Sequence, residues 1–522
     1  MSDKFLSLFS IGITGIMAAS CSQKTEKPNV IIILADDMGY GDVSFNNPQA
    51  RTSTPNIDSM ARNGICFSDA HSGGAVSIPS RYGLLTGRYY FRLPKQNAYF
   101  GYLPPLIEEG RETIGSVMQK AGYTTACIGK WHLGLNWQYN DSSSGVEADP
   151  KRPGYTNTDF TSDISGGPRS LGFDYSFIIP ASLDMPPYVF VRNTSVVDSE
   201  IVLVTDHYSK SMVNTEYAWD RKHTGDNDIY WGRGVWWRNG EMSKSFKVEQ
   251  CLDVIVNEGV TFLNEQVKNN PGKPFMLYLS LTAPHTPWMP GVKFRGSSAM
   301  GTYGDFISMV DDVIRQITGT LKTLNIYDNT LLIFTSDNGA HWSENDVLAY
   351  GHQSNWKGRG QKGDIWDGGH HVPMFVVWPS KIKRAFTYAH TVSLVDIMAT
   401  LAEMTGVKIN ENYGEDSFSF FKVIDGNHTK PVRESIIYIS SANRLAIEKN
   451  SWKFIDCLGS GGFTDPSNVK PVTGGPQGQL YNLKADPLET TNLYLNESLI
   501  VSQLSGLLDS LVRQGYTRKE VK

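Results

Sequence analysis

Asn29-Val30-Ile31-Ile32-Ile33-Leu34-Ala35 runs straight into Asp36-Asp37. A short run this apolar and β-branched, closed by two acids, reads as a strand buried on both faces, as parallel strands are. Further runs of the same kind lie at 124–128, 275–281, 330–335 and 374–378. Helical periodicity fills the intervals at 113–121, 248–267, 303–324 and 394–405. Strands alternating with helices predict an α/β fold, a large mixed and mainly parallel sheet sandwiched by helices. After about residue 430 the rhythm changes to short strands at 435–439, 444–448, 452–455 and 479–483, then a helix at 499–513. That pattern predicts a smaller C-terminal antiparallel sheet with one packed helix. Two stretches, 136–170 and 208–240, read as loops. The second carries Trp219, Trp231, Trp236 and Trp237, either a sugar-stacking surface or rim packing.

The chain of 522 residues can bury more than one core. Its net charge of -5 leaves no electrostatic footprint for nucleic acid, so an anionic ligand must meet a local cationic pocket. Lys4, an apolar run from Phe5 to Ala19 and Ala18-Ala19-Ser20-Cys21 form an export signal. The apolar run is too short for a strong membrane span. Its end resembles a bacterial lipoprotein signal with Cys21 as the lipidated residue, against an ordinary signal peptide. The expected organisation is a signal peptide with lipobox at 1–21, a tether at 22–27, a main domain at 28–429 and a C-terminal α+β subdomain at 430–522. The expected location is the periplasm, or the outer membrane as a lipoprotein, with membrane contact only through that lipid. Cys66, Cys127, Cys251 and Cys457 are too scattered for a zinc pair or a disulfide framework.

In an open α/β sheet ligands bind beyond the carboxyl ends of the strands, and these ends are polar. The first strand delivers Asp36 and Asp37; the run at 330–335 delivers Ser336-Asp337-Asn338-Gly339. Three carboxylates and an amide oxygen in one pocket would repel unless a cation joined them, and all-oxygen ligation favours calcium or magnesium. Asp36-Asp37 alone would read as a turn or helix cap. Lys130 and His132, two apart, face the same way if the segment is extended. His285 lies between Pro284 and Pro287, and Lys362 lies in a glycine-rich run ending Trp366-Asp367-Gly368-Gly369. Ser77-Ile78-Pro79-Ser80-Arg81 is the most specific signal. Pro79 and Ser80 can start a helix with Ser77 at its N-terminal side, where free N–H groups favour an anion, and Arg81 follows one turn in.

Ser77-x-Pro79-Ser80-Arg81, continued by Leu85-Thr86-Gly87-Arg88, resembles the signature of the formylglycine-dependent (type I) sulfatases of the alkaline phosphatase superfamily, in its serine form. The resemblance spans about 28–490. It takes in Asp36-Asp37-Met38-Gly39, Gly129-Lys130-Trp131-His132-Leu133-Gly134, Pro284-His285, Ser336-Asp337-Asn338-Gly339, Lys362 with Asp367-Gly368-Gly369, and the late Leu480-Tyr481-Asn482-Leu483, Asp486-Pro487 and Glu489. One departure is Gly368-Gly369-His370-His371-Val372-Pro373, where the family often carries arginine.

The resemblance implies an alkaline phosphatase-like fold, oxidation of Ser77 to Cα-formylglycine (3-oxoalanine) by a sulfatase-maturating enzyme, and Ca2+ bound by Asp36, Asp37, Asp337, Asn338 and residue 77. Arg81, Lys130, His132, His285 and Lys362 would complete a sulfate pocket. The hydrated aldehyde carries two hydroxyls on one carbon; one attacks sulfur, and proton loss from the other expels sulfate. His285 is then the acid for the departing sugar oxygen, and His132 assists residue 77. Ala181-Ser182-Leu183-Asp184-Met185-Pro186-Pro187-Tyr188 resembles a segment of bacterial N-acetylgalactosamine-6-sulfatase-like and arylsulfatase relatives. It implies a sulfated carbohydrate substrate, a 6-O-sulfate of galactose or N-acetylgalactosamine, with Asp184 either accepting sugar hydroxyls or anchoring a turn. The rival readings are a phosphate mono- or diester hydrolase of the same superfamily and a non-catalytic glycan-binding lipoprotein.

Overall fold

The computed structural model describes residues 27–94, 101–207, 238–427 and 429–518. The export signal, the tether before Lys27 and the four tryptophans of 208–237 lie outside the described residues. Strand β1, Asn29–Ala35, is an interior strand of a ten-stranded sheet. Numbered along the chain, the others are β2 (Ile65–Phe67), β3 (Thr124–Lys130), β4 (Tyr175–Ile179), β5 (Val191–Arg192), β6 (Ser195–Val196), β7 (Phe275–Ser280), β8 (Thr330–Ser336), β9 (Met374–Val377) and β10 (Phe386–Tyr388). Their order is β10-β2-β9-β8-β1-β7-β3-β4-β5-β6. The run from β8 to β4 is parallel throughout.

Alternation along β1 divides the interior in two. Ile31, Ile33 and Ala35 face one core with helices Cys251–Asn269 and Gly301–Thr323. Val30, Ile32 and Leu34 face the other, with helices Ser77–Thr86, Ile114–Lys120 and Ile397–Thr405. Each of these Val, Ile and Leu side chains gains about 1.5–3 kcal/mol by leaving water, and β1 supplies both layers at once. Polar residues are thereby left to the strand ends.

The run at 374–378 departs from the parallel expectation. It is β9, antiparallel to both β8 and β2. Burial on both faces produces the same apolar run whichever way the strand points. The stretch at 136–170 is irregular, held by isolated bridges such as Tyr139 to Thr158 and Ala148 to Thr156. All four cysteines beyond Cys21 are buried free thiols.

The C-terminal strands Ile436–Ile439, Leu445–Lys449, Trp452–Ile455 and Gln479–Asn482 form an antiparallel sheet. Helix Ser498–Gln514 lays Leu504, Leu508 and Leu511 on one face, the i, i+4, i+7 spacing of an amphipathic helix. The sheet's other face packs Ile436, Tyr438 and Tyr481 against Ile365 and Trp366.

Gly129 lets β3 approach β7 at the strand ends. Its φ is 108°, and a Cβ there would lie 1.8 Å from the carbonyl oxygen of Ser280. Gly122 also has positive φ, 85°, but its Cβ would meet nothing within 4 Å. Gly122→Ala is therefore expected to cost about 1–2 kcal/mol, the left-handed penalty alone. Gly129→Ala should cost well beyond that in urea denaturation, and equal losses would refute the close-approach argument.

Candidate active site

β1 and β8 pair in register, with Ala35 beside Ser336, so the next residues of each strand emerge together. Asp36, Asp37, Asp337 and Asn338 are all essentially buried. The Asp37 amide donates to Asp337 Oδ1 at 3.1 Å, and the Met38 amide to Ser336 Oγ at 2.9 Å. Asp37 takes a left-handed φ of 65° to make this turn.

Helix Ser77–Thr86 begins at Ser77 itself, with Val76 as its cap, two residues before the Pro79 start expected. Pro79 then sits in the first turn, where its missing N–H costs nothing. The Ser77 hydroxyl donates to Asp36 Oδ1 at 3.3 Å and accepts from Lys130 Nζ at 2.9 Å. Lys130 Nζ also lies 2.8 Å from both Asp36 oxygens. One turn in, Arg81 places Nε and Nη2 on Asp337 Oδ2 at 3.0 and 2.7 Å, and Nη2 also lies 3.3 Å from Asp36 Oδ1. Its Nη1 reaches the Lys130 carbonyl and Ser280 Oγ. Lys362 Nζ donates to Asp37 Oδ2 at 2.7 Å.

Three carboxylates (Asp36, Asp37, Asp337) thus meet three cations (Arg81, Lys130, Lys362), a sum of zero. Burial alone would raise the Asp36 carboxyl. Lys130, His285, Arg81 and Lys362 outweigh it and hold that group far below the usual range. Burial lowers the Lys362 ammonium, but Asp37 and Asp36 overcome it and leave the lysine raised. Burial raises Asp337 despite Arg81, with Asp36 and Asp37 adding repulsion. The acids are crowded even with their partners.

His285 Nδ1 lies 2.7 Å from the Thr286 carbonyl, which only accepts, so Nδ1 carries a proton. Nε2 then points at Asp37 Oδ2, 3.7 Å away. Asp184 joins from the other side. Its Oδ1 is 3.9 Å from His285 Nδ1 and accepts no hydrogen bond, and its Oδ2 pairs with Arg238 at 2.8 Å. His132 departs from the extended geometry expected: β3 ends at Lys130 and His132 has φ 58°, so the alternation that would align the two side chains does not apply. Its ring is buried.

The acceptor set fits a hard cation. Asn338 Nδ2 donates to Asp37 Oδ1 at 2.7 Å, while Asn338 Oδ1 is buried with no hydrogen-bond partner. Ligand atoms of Asp36, Asp37 and His285 fall within 4.8 Å of one another. Each carboxylate oxygen has lone pairs beyond those its lysine or arginine uses, so an ion can share them.

Sequence reasoning did not find the supports. Asp42 accepts from the Gly39 amide at 2.8 Å and from Tyr303 at 2.6 Å, with His352 Nε2 at 2.9 Å, bracing the turn after Asp37. Asp42 closes the motif Asp36-Asp37-Met38-Gly39 three residues on, which was a usable signal. Arg238 and Ser280 carried none.

Arg81→Met would strand Asp337 and crowd Asp36. Removing one partner of a buried pair costs about 3–5 kcal/mol, and that loss is expected in chemical denaturation monitored by circular dichroism. An unchanged midpoint would mean the charges are not interdependent.

A sulfatase family model matches residues 28–407. The chain is 34% identical over 509 residues to the N-acetylgalactosamine-6-O-sulfatase of Bacteroides thetaiotaomicron, covering 94% of each chain. A solved 6S-sulfatase from a study of glycosaminoglycan metabolism by Bacteroides thetaiotaomicron superposes with a TM-score of 0.78 at 31% identity, over 94% of this chain and 100% of that one. The phosphonate monoester hydrolase of Agrobacterium radiobacter, 17% identical with a TM-score of 0.57 over 94% of this chain and 96% of its own, shows the shared fold alone.

Proposed function

The chain belongs to the sulfatase family and is a sulfuric ester hydrolase acting on glycan sulfate, and we propose that it removes a 6-O-sulfate from galactose or N-acetylgalactosamine. In this reading Ser77, oxidised to Cα-formylglycine by a maturating enzyme, is the nucleophile, and Asp36, Asp37, residue 77, Asp337 and Asn338 hold calcium. The observation that carries it is Ser77 Oγ within hydrogen-bond reach of both Asp36 and Lys130 at a helix N-terminus. The substrate class rests on the 34% identity to an N-acetylgalactosamine-6-O-sulfatase over most of both chains.

Calcium, when bound, neutralises sulfate oxygens and acidifies a neighbouring hydroxyl. The aldehyde at residue 77 supplies, as its hydrate, a nucleophile with a built-in route for release. The protein's own groups do the rest. Lys130 Nζ, 2.9 Å from the residue 77 oxygen, holds positive charge against the attacking atom. Arg81 cannot swing, because Asp337, Ser280 and the Lys130 carbonyl fix its fork. It therefore presents a set charge to the sulfuryl group without reorganising. Lys362 adds a third cation from the opposite loop. His285, with its Nδ1 proton held by the Thr286 carbonyl, acts as acid in its imidazolium form, giving the Nε2 proton to the departing sugar oxygen and remaining as the neutral ring. His132 assists residue 77 in release. Asp184, with Oδ1 open, accepts from a sugar hydroxyl while Arg238 sets its angle.

We also place the enzyme outside the cytoplasm, as a periplasmic or outer-membrane lipoprotein anchored through Cys21. The support is the Ala18-Ala19-Ser20-Cys21 ending; no helix of the described residues is long and apolar enough to cross a membrane.

Protein co-expressed with a serine-type maturase should yield a Ser77 peptide two hydrogens lighter than its unconverted form. Desulfation of 6-O-sulfated N-acetylgalactosamine should rise with the converted fraction. Full activity in unconverted protein would end the formylglycine reading, and preference for aryl phosphate over aryl sulfate would favour the phosphoester alternative. Lys362→Ala should lower kcat by about 10²–10³-fold, as losing one charge donor does in other enzymes. Calcium at a hundredfold excess over its dissociation constant should stabilise the wild type by about 2.7 kcal/mol, and should do so far less in an Asp337→Asn, Asn338→Ala double variant.

A further inference from the structure

A second cluster lies outside the groups assigned to sulfate cleavage. His71, Asp367 and His370 bring ligand atoms within 4.8 Å of one another. His71 ends the short strand Ala70–His71, and Asp367–His370 is a single helical turn on the loop that carries Lys362. The two histidines are essentially buried. Their Nδ1 atoms face each other at 3.0 Å.

The outward nitrogens decide what lies between them. His71 Nε2 is 2.8 Å from Asp69 Oδ1, and His370 Nε2 is 3.3 Å from the Ile365 carbonyl. Carboxylate and carbonyl oxygens only accept, so in this arrangement both Nε2 atoms carry protons and both Nδ1 atoms carry lone pairs. Two lone pairs at 3.0 Å repel unless a positive charge lies between them. Nitrogens bound tetrahedrally to one zinc ion, at about 2.0–2.1 Å each, stand roughly 3.3 Å apart, so the pair needs to open only slightly. A carboxylate behind one imidazole and a carbonyl behind the other are the outer contacts that orient metal-bound histidines. Stacking of His370 on Tyr438, 3.8 Å between centroids and 8° from parallel, fixes the second ring. Asp367 contributes the carboxylate, with its Oδ2 steadied by His371 Nδ1 at 2.9 Å. The competing arrangement uses Lys453, 3.2 Å from His370 Nε2. If Lys453 donates there, a proton on His370 Nδ1 fills the gap instead. Lys453 has three N–H donors, so its pairing with Glu489 at 2.8 Å leaves one for His370; the ion-free protein holds the shared proton, and a bound ion would replace it as the His370 Nε2 proton turns to the Ile365 carbonyl.

We propose that His71, His370 and Asp367 bind a divalent first-row transition ion of the zinc type, clamping the Asp367–His370 turn to strand Ala70–His71. Nitrogen ligation separates this site from the oxygen-lined site at Asp36 and Asp37, so the two would take different ions. Asp69, behind His71, is about one-third exposed (34%) and lines a cavity of roughly 400 Å³ with His390 and Glu448.

The test uses the full matured chain, stripped by chelator and titrated with Zn2+ or Co2+ in excess Ca2+. Elemental analysis should find one tightly held zinc, and cobalt should give the visible ligand-field bands of nitrogen–oxygen coordination. His370→Gln should abolish both signals. Asp69→Asn, which keeps the ligands, should weaken binding by about 10–100-fold. Wild type that binds no stoichiometric zinc overturns the proposal and leaves the shared proton. Zinc retained undiminished by His370→Gln and by His71→Asn also overturns it.

Discussion

Everything at the catalytic end of the sheet depends on how Asp36, Asp37 and Asp337 are kept charged inside the protein. Strand register puts them there, and no local choice of side chain could separate them while β1 and β8 remain paired. Water cannot solvate them, because all three are essentially buried. Arg81 and Lys130 settle the matter for Asp36, Lys362 pairs with Asp37, and Arg81 only partly offsets the burial of Asp337. Under the proposed function these same cations also receive the anionic ester. Acids that gather cations, and cations left with donors to spare, make folding and anion recognition one problem.

That coupling explains which parts could be read from the sequence. β1 was visible because burial on both faces leaves an unbroken apolar run, and the acids after it marked the strand end. Asp36, Asp37, Ser77, Arg81, Lys130, His285, Asp337, Asn338 and Lys362 are tied together by hydrogen bonds and charge pairs because each lies at a strand end or on a helix or loop facing one. Strand direction was not legible: β9 buries both faces whether it runs with its neighbours or against them. Nor was the backbone at His132, since positive φ in a non-glycine residue is set by tertiary packing and leaves no mark on composition. Supports such as the Asp42–His352–Tyr303 group join residues some 300 positions apart, beyond the reach of periodicity.

The C-terminal sheet has a part in the site that its distance along the chain conceals. Glu489, from the late motif, accepts from the Asp367 amide at 2.7 Å and pairs with Lys453 at 2.8 Å. Arg359 reaches back to the Glu489 carbonyl and lies over the Trp366 ring, 3.6 Å from its centroid. The loop bearing Lys362 is therefore held at both ends by groups that the small sheet provides. Arg433 adds a further anchor, with two nitrogens on Asp396 and one on the Tyr89 hydroxyl.

This attachment makes the position of Lys362 a property of the packed pair of sheets and not of its own loop. A lysine on a glycine-rich segment has a long flexible stem, and ordering it costs up to about 2 kcal/mol of side-chain entropy. Asp37 recovers that cost only if the loop is already in place, because a charge pair weakens steeply once water enters between its members. The contacts of Glu489, Arg359 and Ile365 keep the loop in place before any substrate arrives. The late motif thus acts at a distance on the acid cluster: through Glu489 it sets where the Lys362 cation stands beside Asp37.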